Sequence, residues 1–211
     1  MNKYIAELIG TFFLVLTIGC TVLGGVGGVT IAPLAIGAAL MVMIFAGGHI
    51  SGGHFNPAVT FAVWIRGKCP GKDVLPYWFS QGIGAALAAL AVKFIFAARL
   101  GEVKVFEPAM GPALLAEFLF TFALAYVVLN VATARGTAGN SFYGLAIGMT
   151  VMTGAFSVGH VSGGAFNPAV AVGASLMGLF AWSNLWIYLV ANLLGGAVAA
   201  LAFRTLNPED N

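Results

Sequence analysis

The chain has 211 residues, of which 60% are hydrophobic and only 8% charged, with a net charge of +2 and a mean hydropathy of +0.99. A soluble domain carries about 25% charged residues, so a soluble enzyme or binding domain is excluded and a polytopic all-α membrane protein is expected. The charge is too small to argue for nucleic acid or any acidic partner.

The N-terminus runs straight into apolar sequence without a small-residue cleavage site, and reads as a retained first span over about 4–23 rather than a signal peptide. A glycine-rich turn follows, Gly24-Gly25-Val26-Gly27-Gly28, and then a second span over about 31–48. Next comes Ser51-Gly52-Gly53-His54-Phe55-Asn56-Pro57-Ala58-Val59. It reads as a glycine-loosened loop, an Asn helix cap, and Pro in the first helical turn. The apolar run behind it, to Ile65, is too short to cross a bilayer, which takes about 20 residues. It therefore predicts a half-helix whose positive N-terminal end lies inside the protein.

A basic loop spans 66–73, and a third span covers about 75–98. The polar connector 99–112 is the expected midpoint. A fourth span at about 113–132, a turn at 133–140 and a fifth span at about 141–159 lead to Ser162-Gly163-Gly164-Ala165-Phe166-Asn167-Pro168-Ala169-Val170. This is the earlier stretch again, shifted by 167 − 56 = 111 positions, with eight of nine residues identical. A second half-helix to Met177, a sixth span over about 182–203 and a polar tail complete the chain. Pro33, Pro76 and Pro112 read as span-entrance prolines. Cys20 and Cys69 have no metal-ligand spacing and read as free thiols.

The repeat extends beyond the signature. Ala6-Glu7 and Thr11-Phe12 recur as Ala116-Glu117 and Thr121-Phe122, Leu34 to Gly37 recurs as Leu145 to Gly148, and Tyr77, Gln81 and Gly84 recur as Tyr188, Asn192 and Gly195. Three spans per half is an odd number, so the second half enters the membrane from the opposite side. The expected division is 1–105 and 106–211, an inverted 3+3 repeat with its working site near the midplane. Lys3, Arg66, Lys68, Lys72, Arg135 and Arg204 fall on one side, Arg99 and Lys104 on the other. The positive-inside rule makes the richer side, and both termini, cytoplasmic. Lys93 is left near the outer end of the third span, where it can snorkel.

Two positive helix ends meeting at mid-bilayer oppose cations and protons. Non-helical backbone at that depth must be buried or line a water-filled cavity. The reading is a pore, with the Asn56 and Asn167 amides as donors and the loop carbonyls as acceptors. Glu7 and Glu117, acids inside apolar spans, need partners; the backbone N–H groups of the half-helix loops supply them. His49 and His160 brace the loops or line a vestibule, and His54 packs within its loop.

The paired Asn-Pro-Ala motifs (Asn56, Pro57, Ala58 and Asn167, Pro168, Ala169), the flanking Ser-Gly-Gly, and Glu7 and Glu117 resemble the aquaporin and glycerol-facilitator family over nearly the whole chain. The resemblance implies six tilted helices plus two re-entrant half-helices, one pore per subunit of a homotetramer in the plasma (inner) membrane, no cofactor, no metal and no energy coupling. Counted from the two Asn residues, the family's four filter positions fall on Ile36, Ala155, Gly164 and Val170. Water-selective members carry a bulky aromatic at the first, His at the second and Arg at the fourth; this chain has none of them. That departure resembles an Arg-lacking branch, which includes bacterial aquaporins linked to arsenic resistance and some plant intracellular members. It predicts a wide, apolar, uncharged filter that passes water with glycerol, urea, ammonia or arsenic hydroxides.

Rival readings are a strictly water-selective channel and a coupled secondary transporter; the latter should place an ionisable pair at the midplane. An intramembrane enzyme lacks any His-Glu-x-x-His, Ser-Lys or paired-aspartate arrangement. An ion channel lacks a ring of acids or a carbonyl filter motif.

Overall fold

The computed structural model describes residues 1–24, 31–102 and 104–210. The anticipated glycine-rich turn lies, beyond Gly24, outside these residues. Eight α-helices are described: α1 (Asn2–Gly24), α2 (Ala32–Ser51), α3 (Pro57–Ile65), α4 (Gly71–Ile95), α5 (Met110–Thr133), α6 (Tyr143–Ser162), α7 (Pro168–Met177) and α8 (Leu185–Leu206). Six of them are long and apolar enough to cross a membrane. At 1.5 Å per residue even the 20-residue α2 and α6 reach about 30 Å, the thickness of a hydrocarbon core. By the same measure α3 and α7, with 9 and 10 residues, cover about half of it.

Several boundaries shift. The helices α2 and α6 continue through His49 and His160 to the Ser of each signature, because glycine within a helix weakens it without ending it. The stops are Gly52 and Gly163, left-handed at φ 91° and 89°, whose N–H groups bond back to the Gly48 and Gly159 carbonyls at 2.8 Å. Pro76 is not at a span entrance: α4 already starts at Gly71, after the extended Pro70, so Pro76 lies inside the helix. There the Ser80 hydroxyl donates to the Pro76 carbonyl at 2.9 Å.

Helix α1 packs on α4, α5 on α8, and α2 on α6. Glycines permit each close crossing. A Cβ on Gly84 would sit 2.5 Å from the Leu8 carbonyl oxygen, and one on Gly195 2.7 Å from that of Phe118. A Cβ on Gly37 would lie 2.7 Å from the Gly148 carbonyl oxygen. The short helices pack on the other half of the chain, α3 on α8 and α7 on α4, and a Cβ on Gly196 would meet the Ala58 carbonyl oxygen at 2.6 Å.

Polar ties gather at one end of the bundle. Lys3 Nζ and Tyr4 Oη reach the Asp73 carboxylate at 2.6 and 2.7 Å. The buried Arg66 guanidinium, at the end of α3, faces Asp210 at 3.2 Å and stacks 4.6 Å over the Phe203 ring. Asp210 also takes the Arg135 backbone N–H at 2.8 Å. Both ends of the described chain therefore lie with the 66–73 and 133–137 loops. At the far end Arg99 donates to the Gly24 carbonyl at 2.8 Å. Lys93, read as snorkelling, donates to the Leu176 carbonyl at 3.2 Å; this lies in the last turn of α7, where the helix dipole favours a cation.

Candidate functional site

The two signature loops have nearly the same backbone. Gly52, Gly53 and Phe55 have φ of 91°, 64° and 48°; Gly163, Gly164 and Phe166 have 89°, 65° and 47°. Glycine adopts this region freely, but a phenylalanine there costs roughly 1–3 kcal/mol and needs its surroundings to hold it.

The holding group is a buried carboxylate in each half. Glu7 Oε1 accepts from Ser51 Oγ at 2.7 Å and His54 N–H at 2.9 Å; its Oε2 accepts from Phe55 N–H at 2.6 Å and Gln81 Nε2 at 2.8 Å. Glu117 Oε1 accepts from Ser162 Oγ at 2.7 Å and Ala165 N–H at 2.9 Å; its Oε2 accepts from Phe166 N–H at 2.7 Å and Asn192 Nδ2 at 2.9 Å. Four donors saturate an ionised carboxylate. They also offset the cost of burying it. Tyr77 and Tyr188 close the other side of each loop, donating to the Ser51 and Ser162 carbonyls at 2.7 Å.

Asn56 caps α3, its Oδ1 accepting from Ala58 N–H at 2.8 Å, and Asn167 caps α7 from Ala169 N–H at 2.9 Å. Each Asn then donates across the repeat. Asn56 Nδ2 bonds the Phe166 carbonyl and Asn167 Nδ2 the Phe55 carbonyl, both at 2.8 Å. These bonds bring the N-terminal ends of α3 and α7 together. They use one N–H of each amide and leave one.

A conduit in three parts runs past this junction. The central cavity is bordered by Leu40, Val59, Leu124, Ile147 and Val151 together with Asn56 and Asn167, and has only about 20 Å³ for water centres, room for one or two waters. A mouth of about 580 Å³, outer in the sense of lying away from the two described chain ends, adjoins it at Ile18, Ile36, Gly164 and Val170. A mouth of about 410 Å³ on the side of the chain ends, the inner one in the same sense, adjoins it at His54 and Val128. Ala155 borders only the outer mouth. At Ile36 and Val170 the branched side chains border the narrow central segment too.

The histidines divide: His160 takes the vestibule alternative of its sequence reading, and neither it nor His49 braces a loop. His49 is exposed at the end of α2, and neither it nor the exposed His160 makes a side-chain hydrogen bond to a loop among the described residues; His160 borders the outer mouth. Bracing falls instead to Ser51, Tyr77 and Gln81 and to Ser162, Tyr188 and Asn192. The signal for them was the Tyr, Gln/Asn and Gly set repeated at the same shift of 111. His54 does more than pack. Its Nδ1 lies 3.1 Å from Thr60 Oγ1, which also accepts from Gln81 Nε2 at 3.0 Å, and its ring borders both the central cavity and the inner mouth. The second half has Ala165 and Ala171 at these two places, so the His54–Thr60 pair has no counterpart there. Among the described residues no three His, Cys, Asp or Glu converge to hold a metal ion.

Residues 1–203 match the family of major intrinsic proteins. The chain is 38% identical to the glycerol uptake facilitator protein-like 6 of Lactiplantibacillus plantarum, covering all of both chains. It is 36% identical to aquaporin AqpM of Methanothermobacter thermautotrophicus, over 99% of this chain and 98% of that one. Its fold superposes on the aquaglyceroporin from Plasmodium falciparum with a TM-score of 0.85 at 22% identity, covering 99% of this chain and 97% of that one.

Proposed function

The chain belongs to the major intrinsic protein family and is a passive membrane channel for water and small solutes; from that premise we propose that its pore also passes uncharged solutes larger than water and rejects ions. One observation carries the reading: Asn56 and Asn167, each with one amide N–H left over by the crossed bonds, border a conduit whose outer neck, Ile36, Gly164 and Val170, bears no charge. A solute that both donates and accepts hydrogen bonds suits this lining, while its carbon edge meets Leu40, Leu124, Val128, Ile147 and Val151. A cation gains nothing there to replace its hydration and meets two positive helix ends. Glycerol fits this description, and urea, ammonia and arsenic hydroxides share its chemistry; the relative named as a glycerol uptake facilitator supports the first.

In this reading Asn56 and Asn167 touch the solute, while Ile36, Ala155, Gly164 and Val170 sort it. Glu7 and Glu117 hold the loops. The two halves, 1–105 and 106–211, are inverted repeats. The six basic residues at one end support cytoplasmic termini in a plasma (inner) membrane. The apolar outer helix faces support a lipid surround, and the family a homotetramer.

A second reading, passage of water alone, is favoured by the roughly 20 Å³ of the central segment. Stopped-flow light scattering on proteoliposomes loaded against glycerol, urea and sorbitol separates the two. The proposal predicts reswelling in glycerol several-fold faster than protein-free vesicles. Reswelling at the protein-free rate in every solute, with fast water flow, would establish the water-only reading instead.

A further inference from the structure

Each conduit Asn shares one phenylalanine with the carboxylate of the opposite half. On the Glu7 side, the carboxylate takes the Phe55 N–H at 2.6 Å, and the Phe55 carbonyl takes Asn167 Nδ2 at 2.8 Å. Asn167 Oδ1 then caps α7 through Ala169 N–H at 2.9 Å. On the Glu117 side, the carboxylate takes the Phe166 N–H at 2.7 Å, the Phe166 carbonyl takes Asn56 Nδ2 at 2.8 Å, and Asn56 caps α3 through Ala58 N–H at 2.8 Å.

Both chains turn on a phenylalanine with left-handed backbone, φ 48° and 47°. A residue in that region persists only where its surroundings over-determine it. Here both rings are buried. Phe166 packs 5.5 Å from the Phe120 ring, centroid to centroid. The Phe55 ring faces Gly10 and Gly47, where a Cβ would crowd it. Removing the carboxylate frees the N–H that helps hold this backbone, and the carbonyl on the same residue then turns away from the partner Asn.

We propose that Phe55 and Phe166 are positioning residues that couple the halves crosswise: Glu7 acts through the left-handed backbone of Phe55 on Asn167, and Glu117 through that of Phe166 on Asn56. The functional consequence rests on the reading that these amides meet the solute, but the coupling itself does not. Within one half, each Asn also caps its own half-helix, so the bland expectation is that Glu7 matters most to Asn56.

The test is solvent exchange of the Asn side-chain amides, followed by NMR on the full chain in lipid nanodiscs with ¹⁵N-labelled asparagine. In Glu7→Gln, the Asn167 amide should exchange about tenfold faster than in the parent, the scale of one lost buried hydrogen bond, with Asn56 changed far less. Glu117→Gln should reverse the pattern. A larger effect on the same-half Asn, equal effects on both, or none, overturns the proposal. Should the Glu variants fail to assemble, Asn167→Ala provides the reciprocal measurement: backbone exchange at Phe55 should rise, and an unchanged Phe55 overturns the coupling equally. Solute flux on the same samples separates this from the functional reading, since amides that shift crosswise without altering glycerol or proton flux would sink the reading and leave the coupling standing.

Discussion

Val170 is where a single side chain decides most. Its N–H lies 3.4 Å from Asn167 Oδ1 at the start of α7, and it borders both the central cavity and the outer mouth. Val170→Arg would place a fixed charge and five N–H donors at that neck. Glycerol flux in proteoliposomes should fall by about tenfold or more, a change worth ~1.4 kcal/mol in barrier height, while water flux persists. Unchanged glycerol flux would mean that position 170 does not sort solutes. At this scale the sequence was legible wherever a residue was repeated in a setting that made it costly. Asn56 and Asn167 precede proline after a glycine loop, and Glu7 and Glu117 stand in apolar spans. The crossed bonds were not legible, because they join positions 110 and 112 apart along the chain. Thr60 was equally hidden, since its role exists only once α3 and α4 bring His54 and Gln81 against it.

Helices pair here by fitting glycine against backbone. Gly84 and Gly82 lie two residues apart on α4 and make a controlled comparison. A Cβ at 84 would sit 2.5 Å from the Leu8 carbonyl oxygen and 3.1 Å from the Phe12 nitrogen, while at 82 nothing stands within 4 Å. Gly84→Ala should therefore cost about 1–3 kcal/mol by forcing α1 and α4 apart. Gly82→Ala should be neutral or stabilise by up to about 1 kcal/mol through helix propensity. Thermal unfolding in one detergent measures both, and equal midpoints would refute the close crossing. Spans were legible because 20 apolar residues have one economical arrangement in lipid. Their ends were less so. A His-x-Ser stretch straight after glycine reads as loop, yet α2 and α6 run on until a left-handed glycine stops them. The packing of each half-helix on the other half's last spanning helix carries no local pattern at all.

Across the whole molecule, the halves form one unit because α3 lies on α8 and α7 on α4, and because the two caps bond one another's loops. The ends of the bundle differ: one is tied by Lys3, Tyr4 and Asp73 and by Arg66, Asp210 and Arg135, the other opens as the larger mouth. The inverted repeat could be inferred from an odd number of spans per half, but the narrowing of the conduit between its two mouths depends on how side chains from both halves meet. The central claim is that this narrow thread between two positive helix tips is continuous for neutral molecules and closed to charge. Purified protein in proteoliposomes tests it when osmotic water flux and dissipation of a pH gradient are measured on the same vesicles. The account predicts water flux many-fold above protein-free vesicles, unaffected by ionophores, with the pH gradient decaying at the protein-free rate. Water flux no greater than that of bare lipid, or a proton leak that rises with it, would contradict the account.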